Sequence, residues 1–235
     1  MKDFSKHTLA SIVTGDHRVV PVLEKYNLDY CCRGKTTLAD ACSEKKLQLD
    51  HIESELEYVM QGFREKSMPF NEMSAEHLVN HILVRHHYYV KQAMPLIYMH
   101  LEKVSKKHGD FFPYMNTVFS LFGELQDEMN LHMQKEEMVL FPMIIDMERK
   151  YKQKNLSGIV KNDISGSVSV LESEHQQAGD ILYQIRELTN QYSIPQGACT
   201  TFKIALNELK EFEDDLHEHV HLENNILFPK ALQFV

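Results

Sequence analysis

The sequence predicts an all-α protein, an up-down four-helix bundle preceded by a small helical N-terminal domain. Three observations carry this. Beyond residue 70, apolar residues recur at three- and four-residue intervals through long segments at roughly 74–108, 113–150, 164–191 and 195–232. The stretches between them, KKHGDFFP, KQKNLSG and NQYSIPQG, hold the glycine, asparagine and proline expected of connections. Nine glycines and seven prolines in 235 residues are too few for a fold of many tight turns. Four long helices with short links pack most simply as antiparallel neighbours.

The N-terminal domain, residues 1–70, reads as short helices. Asp16 is placed to cap one running to about Tyr26, Thr37 and Leu38 open a second, and Asp50 caps a third to about Lys66. LDYCCRGK, between the first two, is a loop by its glycine and its broken periodicity. SMPFNEMS marks the boundary to the bundle at 71–235, because it holds a proline and ends in the good N-cap Ser74. Met94-Pro95 is expected to kink or divide the first bundle helix.

The net charge of −9 argues against nucleic acid or an anionic membrane as partner. The N-terminus MKDFSKHTLASIVTG lacks the apolar stretch of a signal peptide, and no run long enough to span a bilayer occurs. A soluble, cytoplasmic protein is expected. Four cysteines in a chain of this length do not make a disulfide framework. Fourteen histidines are the unusual count, and they cluster where the helical signal is strongest.

In HMQKEEMVLFP, His132 precedes Glu136 by one helical turn. Stepping back along that face gives Met129, Leu125, Phe122 and Val118, so the pair lies on the apolar stripe and faces the core. HVHLENNILFP repeats the arrangement in register, with Phe202, Leu209, Phe212 and Leu216 leading to His219 and Glu223. His87 precedes His132 by almost the same interval by which His175 precedes His219. The chain therefore carries a duplicated helix pair, each copy contributing a His and then a His-x3-Glu.

A single histidine on an apolar stripe is ordinarily a hydrogen-bonded core residue. Duplication alone does not explain why six polar residues stayed on the core face. Two buried carboxylates without compensation cost several kcal/mol each or must take up protons. Cations remove the difficulty: two carboxylates can bridge two metals while two imidazoles bind each. Imidazole and carboxylate without thiolate suit iron, manganese or zinc, and a symmetric bundle-core site points toward iron. His81, His86, His108, His217 and His221 fall off the matched pattern and are not expected to be ligands.

Cys31 and Cys32 are adjacent, beside Arg33 and Lys35. A vicinal disulfide is strained, so a reduced pair is expected. Neighbouring cations and an exposed loop would favour thiolate, making the pair a nucleophile, a metal donor or a nitric oxide acceptor. The alternative is that one or both are packed and inert. Cys42 and Cys199 read as structural.

Together, DYCCRGKTTLADAC followed by HMQKEEMVLFP, ESEHQQAG and HLENNILFP resembles the RIC family, bacterial di-iron proteins for repair of iron centres of the YtfE or ScdA type. The resemblance spans nearly the whole chain. It implies a hemerythrin-like bundle holding two non-haem Fe ions (Fe2+/Fe3+) with an oxo or hydroxo bridge. It also implies restoration of iron–sulfur clusters after nitrosative or oxidative damage. Its ligands fall on His87, His132, Glu136, His175, His219 and Glu223, the six reached from spacing. One departure is Arg33, where the family usually reads Cys-Cys-Gly-Gly.

The implied partners are damaged iron–sulfur proteins, with nitric oxide or oxygen as small-molecule ligand. Oxidoreductase activity on nitric oxide and a homodimer are left open. A hemerythrin-like carrier or sensor of oxygen or nitric oxide is the alternative, though it would not need the cysteine pair. A dimetal hydrolase is disfavoured, since four histidines and two carboxylates leave little anionic density for phosphate chemistry.

Overall fold

The computed structural model describes residues 3–61, 70–154 and 161–235, and only the backbone of 161–163. Before Asp16 lies a helix the sequence reading lacks, α1 (Leu9–Gly15), capped by Thr8 Oγ1 accepting from the Ser11 N–H. Its β-branched residues and terminal glycine are weak helix formers. It forms because Leu9, Ile12 and Val13 are buried, and because its first turn bonds outward, Leu9 N–H to Thr36 O and Ala10 N–H to Gly34 O. A Cβ at Gly34 would stand 2.3 Å from Tyr30 O and 2.9 Å from Ala10 Cβ, so this close approach requires glycine.

Asp16 then caps a 3₁₀ turn (His17–Val19) through the Arg18 N–H and leads into α2 (Val20–Lys25). Thr37 caps α3 (Leu38–Glu44) as expected. In α4 (Leu49–Gln61), Asp50 stands in the first helical turn rather than capping it. The continuation expected to Lys66, and part of the boundary stretch, lie outside the described residues.

The bundle follows. The first rod is α5 (Ala75–Ile82), a π turn (Leu83–His87) and α6 (Tyr88–His108). The second is α7 (Tyr114–Lys135), a π turn (Glu136–Leu140) and α8 (Phe141–Lys152). The third is α9 (Lys161–Leu188), and the fourth is α10 (Thr200–Leu222), a π turn (Glu223–Leu227) and α11 (Phe228–Leu232). The first rod packs on the second and fourth, the second on the third, and the third on the end of the fourth. Among the described residues no helix is long and apolar enough to cross a membrane.

The first rod is not divided at Pro95, which lies inside continuous α6; its interruption is the upstream π turn. In the second and fourth rods the wide turn directly precedes Phe-Pro. Phe141 N–H reaches back to Glu136 O and Phe228 N–H to Glu223 O. Pro142 and Pro229 lack an N–H, and their rings would crowd the carbonyl four residues back in a regular helix. A turn of five residues opens that space. The third rod ends before its expected limit, because Asn190, Gln191 and Tyr192 all take positive φ. Buried hydrogen bonds from Tyr192 Oη to Glu213 (2.9 Å) and from Tyr192 N–H to Thr189 Oγ1 (3.2 Å) hold that turn.

Two apolar clusters fill the interior. One joins Leu9, Leu23, Leu38 and Leu56 of the N-terminal segment to Leu101, Phe122, Leu182 and Phe212 of the rods, as a continuous core. The other gathers Phe70, Ile82, Phe141, Ile144, Leu171 and Phe228 at the opposite end. Between them lies a layer of buried polar side chains.

Candidate metal centre

That layer contains the six residues singled out by spacing. His87, His132, His175, His219, Glu136 and Glu223 are all buried, the two carboxylates completely. Three of the four rods deliver theirs at or beside a π turn, and His175 comes from the middle of α9. The donor atoms form two overlapping sets: His87, His219, Glu136 and Glu223, and His132, His175 and the same two glutamates. Within each set the donor atoms lie within 4.8 Å of one another.

Glu136 spans the sets, with Oε2 3.3 Å from His87 Nε2 and Oε1 3.3 Å from His132 Nε2. Glu223 does likewise, with Oε1 3.0 Å from His219 Nε2 and Oε2 3.1 Å from His175 Nε2. Electrostatics follow from this crowding. Burial and the facing Glu223 push the Glu136 pKa up, but the imidazoles of His132 and His87 outweigh them and hold it below its ordinary value. Burial is likewise overcome at Glu223, which His219, His175 and His87 keep well below the usual range. Burial pulls His87 and His132 down, yet the carboxylates raise them to about 10 and about 9. His219 goes the other way, because burial outweighs its contact with Glu223.

Cation binding fits this geometry. Both Glu136 oxygens, Glu223 Oε2 and His87 Nε2 are buried without a hydrogen-bond partner, which is rare in a native core and costly unless an ion or water completes it. His132 Nε2 and His175 Nε2 stand 2.8 Å apart, where a single proton or one cation can lie between two lone pairs. The donors are imidazole nitrogen and carboxylate oxygen, which suit iron.

Three of the imidazoles are held from behind. His87 Nδ1 meets Glu137 Oε1 at 2.7 Å, His132 Nδ1 meets Glu174 Oε2 at 2.9 Å, and His175 Nδ1 meets Asn224 Oδ1 at 2.8 Å. Lys91 and Lys135 pair with Glu137 and Glu174 in turn. Such contacts leave Nε2 facing inward and available to a cation. His219 Nδ1 has no such partner. The sequence reading missed Glu137, Glu174 and Asn224; its only available signal was that each is next in sequence to a core-facing residue, Glu137 and Asn224 following Glu136 and Glu223 and Glu174 preceding His175.

None of the five histidines set aside belongs to either donor set. His108 Nε2 is 3.1 Å from Cys199 Sγ, and His217 Nδ1 is 2.9 Å from Glu24 Oε1 across the junction with the N-terminal segment. His86 stacks on His219 with ring centroids 5.5 Å apart, His81 lies against His86 at 5.7 Å, and His221 lies against Tyr30 at 5.5 Å.

The cysteine loop sits at the rim of the layer. Cys32 Sγ is 3.4 Å from His175 O and rests on Gly179, where a Cβ would stand 3.2 Å from the sulfur. All four cysteines are free. The expected exposed, cation-activated thiolates are not found at Cys31, which is buried. Its neighbour Cys32, then burial and the Asp29 carboxylate, push its pKa well above the ordinary thiol value. Asp29 Oδ1 also accepts from the backbone N–H groups of both cysteines, at 3.0 and 2.9 Å. The Arg33 guanidinium instead reaches Glu44, at 3.5 Å.

Comparison with known proteins agrees with this geometry. Residues 78–231 match the hemerythrin HHE cation binding domain, and residues 5–60 match ScdA_N, a domain of unknown function. The iron-sulfur cluster repair protein YtfE of Escherichia coli O81 (strain ED1a) is 39% identical over 218 residues, which cover 92% of this chain and 91% of that protein. This chain belongs to the YtfE family. The proteins of the same name from Escherichia fergusonii and E. coli O1:K1 are each 38% identical over the same spans. The cysteine loop of this YtfE-family chain falls within the ScdA_N match, and all six inward-facing residues fall within the hemerythrin match.

Proposed function

We propose that this chain restores iron–sulfur clusters damaged by nitrosative or oxidative stress. Two iron ions would be held by His87 and His219 on one side and His132 and His175 on the other, with Glu136 and Glu223 available to both. The observation that carries this reading is that the same two buried carboxylates belong to both donor sets. The name of its YtfE relatives, iron-sulfur cluster repair proteins, supplies the substrate class.

Iron so held would supply redox and Lewis-acid chemistry toward nitric oxide. The chain's own residues do the rest. Glu137, Glu174 and Asn224 orient three imidazoles, and the apolar clusters on either side exclude bulk water. Residues 1–70 act as the small domain carrying the thiols and 71–235 as the bundle carrying the iron. Cys31 and Cys32 serve as the reduced pair that hands over iron or nitric oxide, a role supported by the approach of Cys32 to His175. A carrier or sensor would need no thiol at that rim.

The test is anaerobic purification with iron quantified, followed by addition to an iron–sulfur enzyme inactivated by nitric oxide. About two irons per chain and recovery of enzyme activity are expected. One metal per chain, or predominantly zinc, sinks the assignment.

A further inference from the structure

Among the described residues twelve buried side-chain polar atoms have no hydrogen-bond partner, and they fall in two places. Five belong to the centre just described. The other seven lie on His17, Tyr30, His86, Asp215 and His221, none of which belongs to the proposed ligand set. His17 and Tyr30 come from the N-terminal segment, His86 from the π turn of the first rod, and Asp215 and His221 from α10. They line a seam where that segment meets the bundle. The His221 ring centroid is 5.5 Å from that of Tyr30 and 6.3 Å from that of His17. His17 Nε2 is 3.1 Å from Glu218 Oε1.

The seam touches the centre at one ligand. His86 lies parallel to His219, at an interplanar angle of 8°, with its Nδ1 3.2 Å from Asp215 Oδ2 in a contact too misaligned for a hydrogen bond. His219 is also the one imidazole of the four with no partner at Nδ1. The His87–His219 side is thus less firmly tethered than the His132–His175 side, and it is the side that abuts the seam. At its outer end the seam opens to solvent, because Asp215 and Glu218 also line a surface cleft with Glu24 and Arg85.

We propose that the seam is a transient site for a divalent first-row cation, ferrous iron as cargo, through which the ion of the His87–His219 side enters and leaves. His17, His221 and Glu218 supply the donors, and Asp215, which shares the cleft with Glu218, and His86, which stacks on His219, lead from them toward the centre. Imidazole and carboxylate suit Fe2+. The donors are not drawn together as those of the centre are, so the seam binds more weakly, as a transit site must. This inference rests on the six-residue set being the iron centre.

The experiment uses the full chain loaded with iron anaerobically, then titrated with Co2+ as probe and followed by visible absorption. A further, weaker equivalent of Co2+ is expected beyond the two irons. His17→Ala/His221→Ala should keep two irons, lose that equivalent, and release the first iron to a ferrous chelator roughly tenfold more slowly. An unchanged release rate, or no further equivalent in the wild-type chain, overturns the seam and leaves its polar atoms merely hydrated. If the double variant does not retain two irons, His17→Ala alone carries the test by the same two measurements, since it lies on the N-terminal side. A wild-type chain that holds fewer than two irons sinks the centre, whereas two irons with no further Co2+ sinks only the seam.

Discussion

Glu136 and Glu223 are buried without protons, whereas Cys31 is buried with one. In the bundle layer four imidazoles face two carboxylates and hold them ionised despite complete burial. In the loop the charge beside the Cys31 sulfur is Asp29, which is of the wrong sign to favour thiolate. The carboxylates of one region therefore meet an incoming cation already ionised, although that cation must displace the protons of His87 and His132, whereas Cys31 needs an incoming cation or electrophile to draw its own proton off. What a buried titratable group does is decided by its facing partner more than by its depth.

The sharpest way to break this contrast is to remove a bridge. Glu223→Ala or Glu136→Ala should take iron from about two per chain to near zero, since each carboxylate serves both sets. His87→Ala should lose one ion first. Elemental analysis decides, and a graded, equal loss from both kinds of variant would argue against bridging.

The cysteine region is tested by Cys31→Ser/Cys32→Ser. Iron content and the di-iron spectrum should stay near wild type, while recovery of a nitric-oxide-damaged iron–sulfur enzyme should fall at least about tenfold. Full recovery would make the thiols bystanders and favour the carrier or sensor reading.

Removing iron should lower the melting temperature by roughly 10 °C at neutral pH, from a linkage of about 3–4 kcal/mol. The metal-free chain should also acquire a pH dependence of definite sign. His87 and His132 are raised, to about 10 and about 9, so their contribution is complete below about 6.5 and lost as pH rises through 9 to 10. Glu223 is depressed, so its contribution is present above about 4.5 and lost as pH falls. Metal-free stability should therefore peak between those limits, as thermal melts across pH would show. A flat profile would mean that the layer is solvated.

The smallest effects concern thiol reactivity. Asp29→Asn should speed alkylation of Cys31 about threefold near pH 8, because the carboxylate beside its sulfur is gone. Arg33→Gly should change it little, because that guanidinium lies against Glu44. A large slowing by Arg33→Gly would restore the view that Arg33 activates the sulfurs.

Much of the centre was legible in the residues alone. His132 and Glu136 sit on the stripe begun by Val118 and Phe122, and the fourth rod repeats them, so helical periodicity assigns their face before any packing is known. Periodicity is a local property, which is why it survives in a linear string. The π turns were half visible, as Phe-Pro one turn after each glutamate, but the one at Leu83–His87 has no adjacent proline to announce it. Helix α1 was hidden, because its stability comes from burial of Leu9, Ile12 and Val13 and from bonds to Gly34 and Thr36 rather than from helix propensity. The state of the cysteines was decided only in three dimensions. Asp29, Arg33 and Lys35 are all their neighbours in sequence, yet it is Asp29 that meets the Cys31 sulfur, Arg33 lies against Glu44, and Gly179 and His175 approach Cys32 from the bundle. So too with His219, whose bare Nδ1 and stacked His86 depend on how two rods meet. Spacing along a helix assigns a side chain to a face. The charge it meets there belongs to another segment of the chain, and only folding brings the two together.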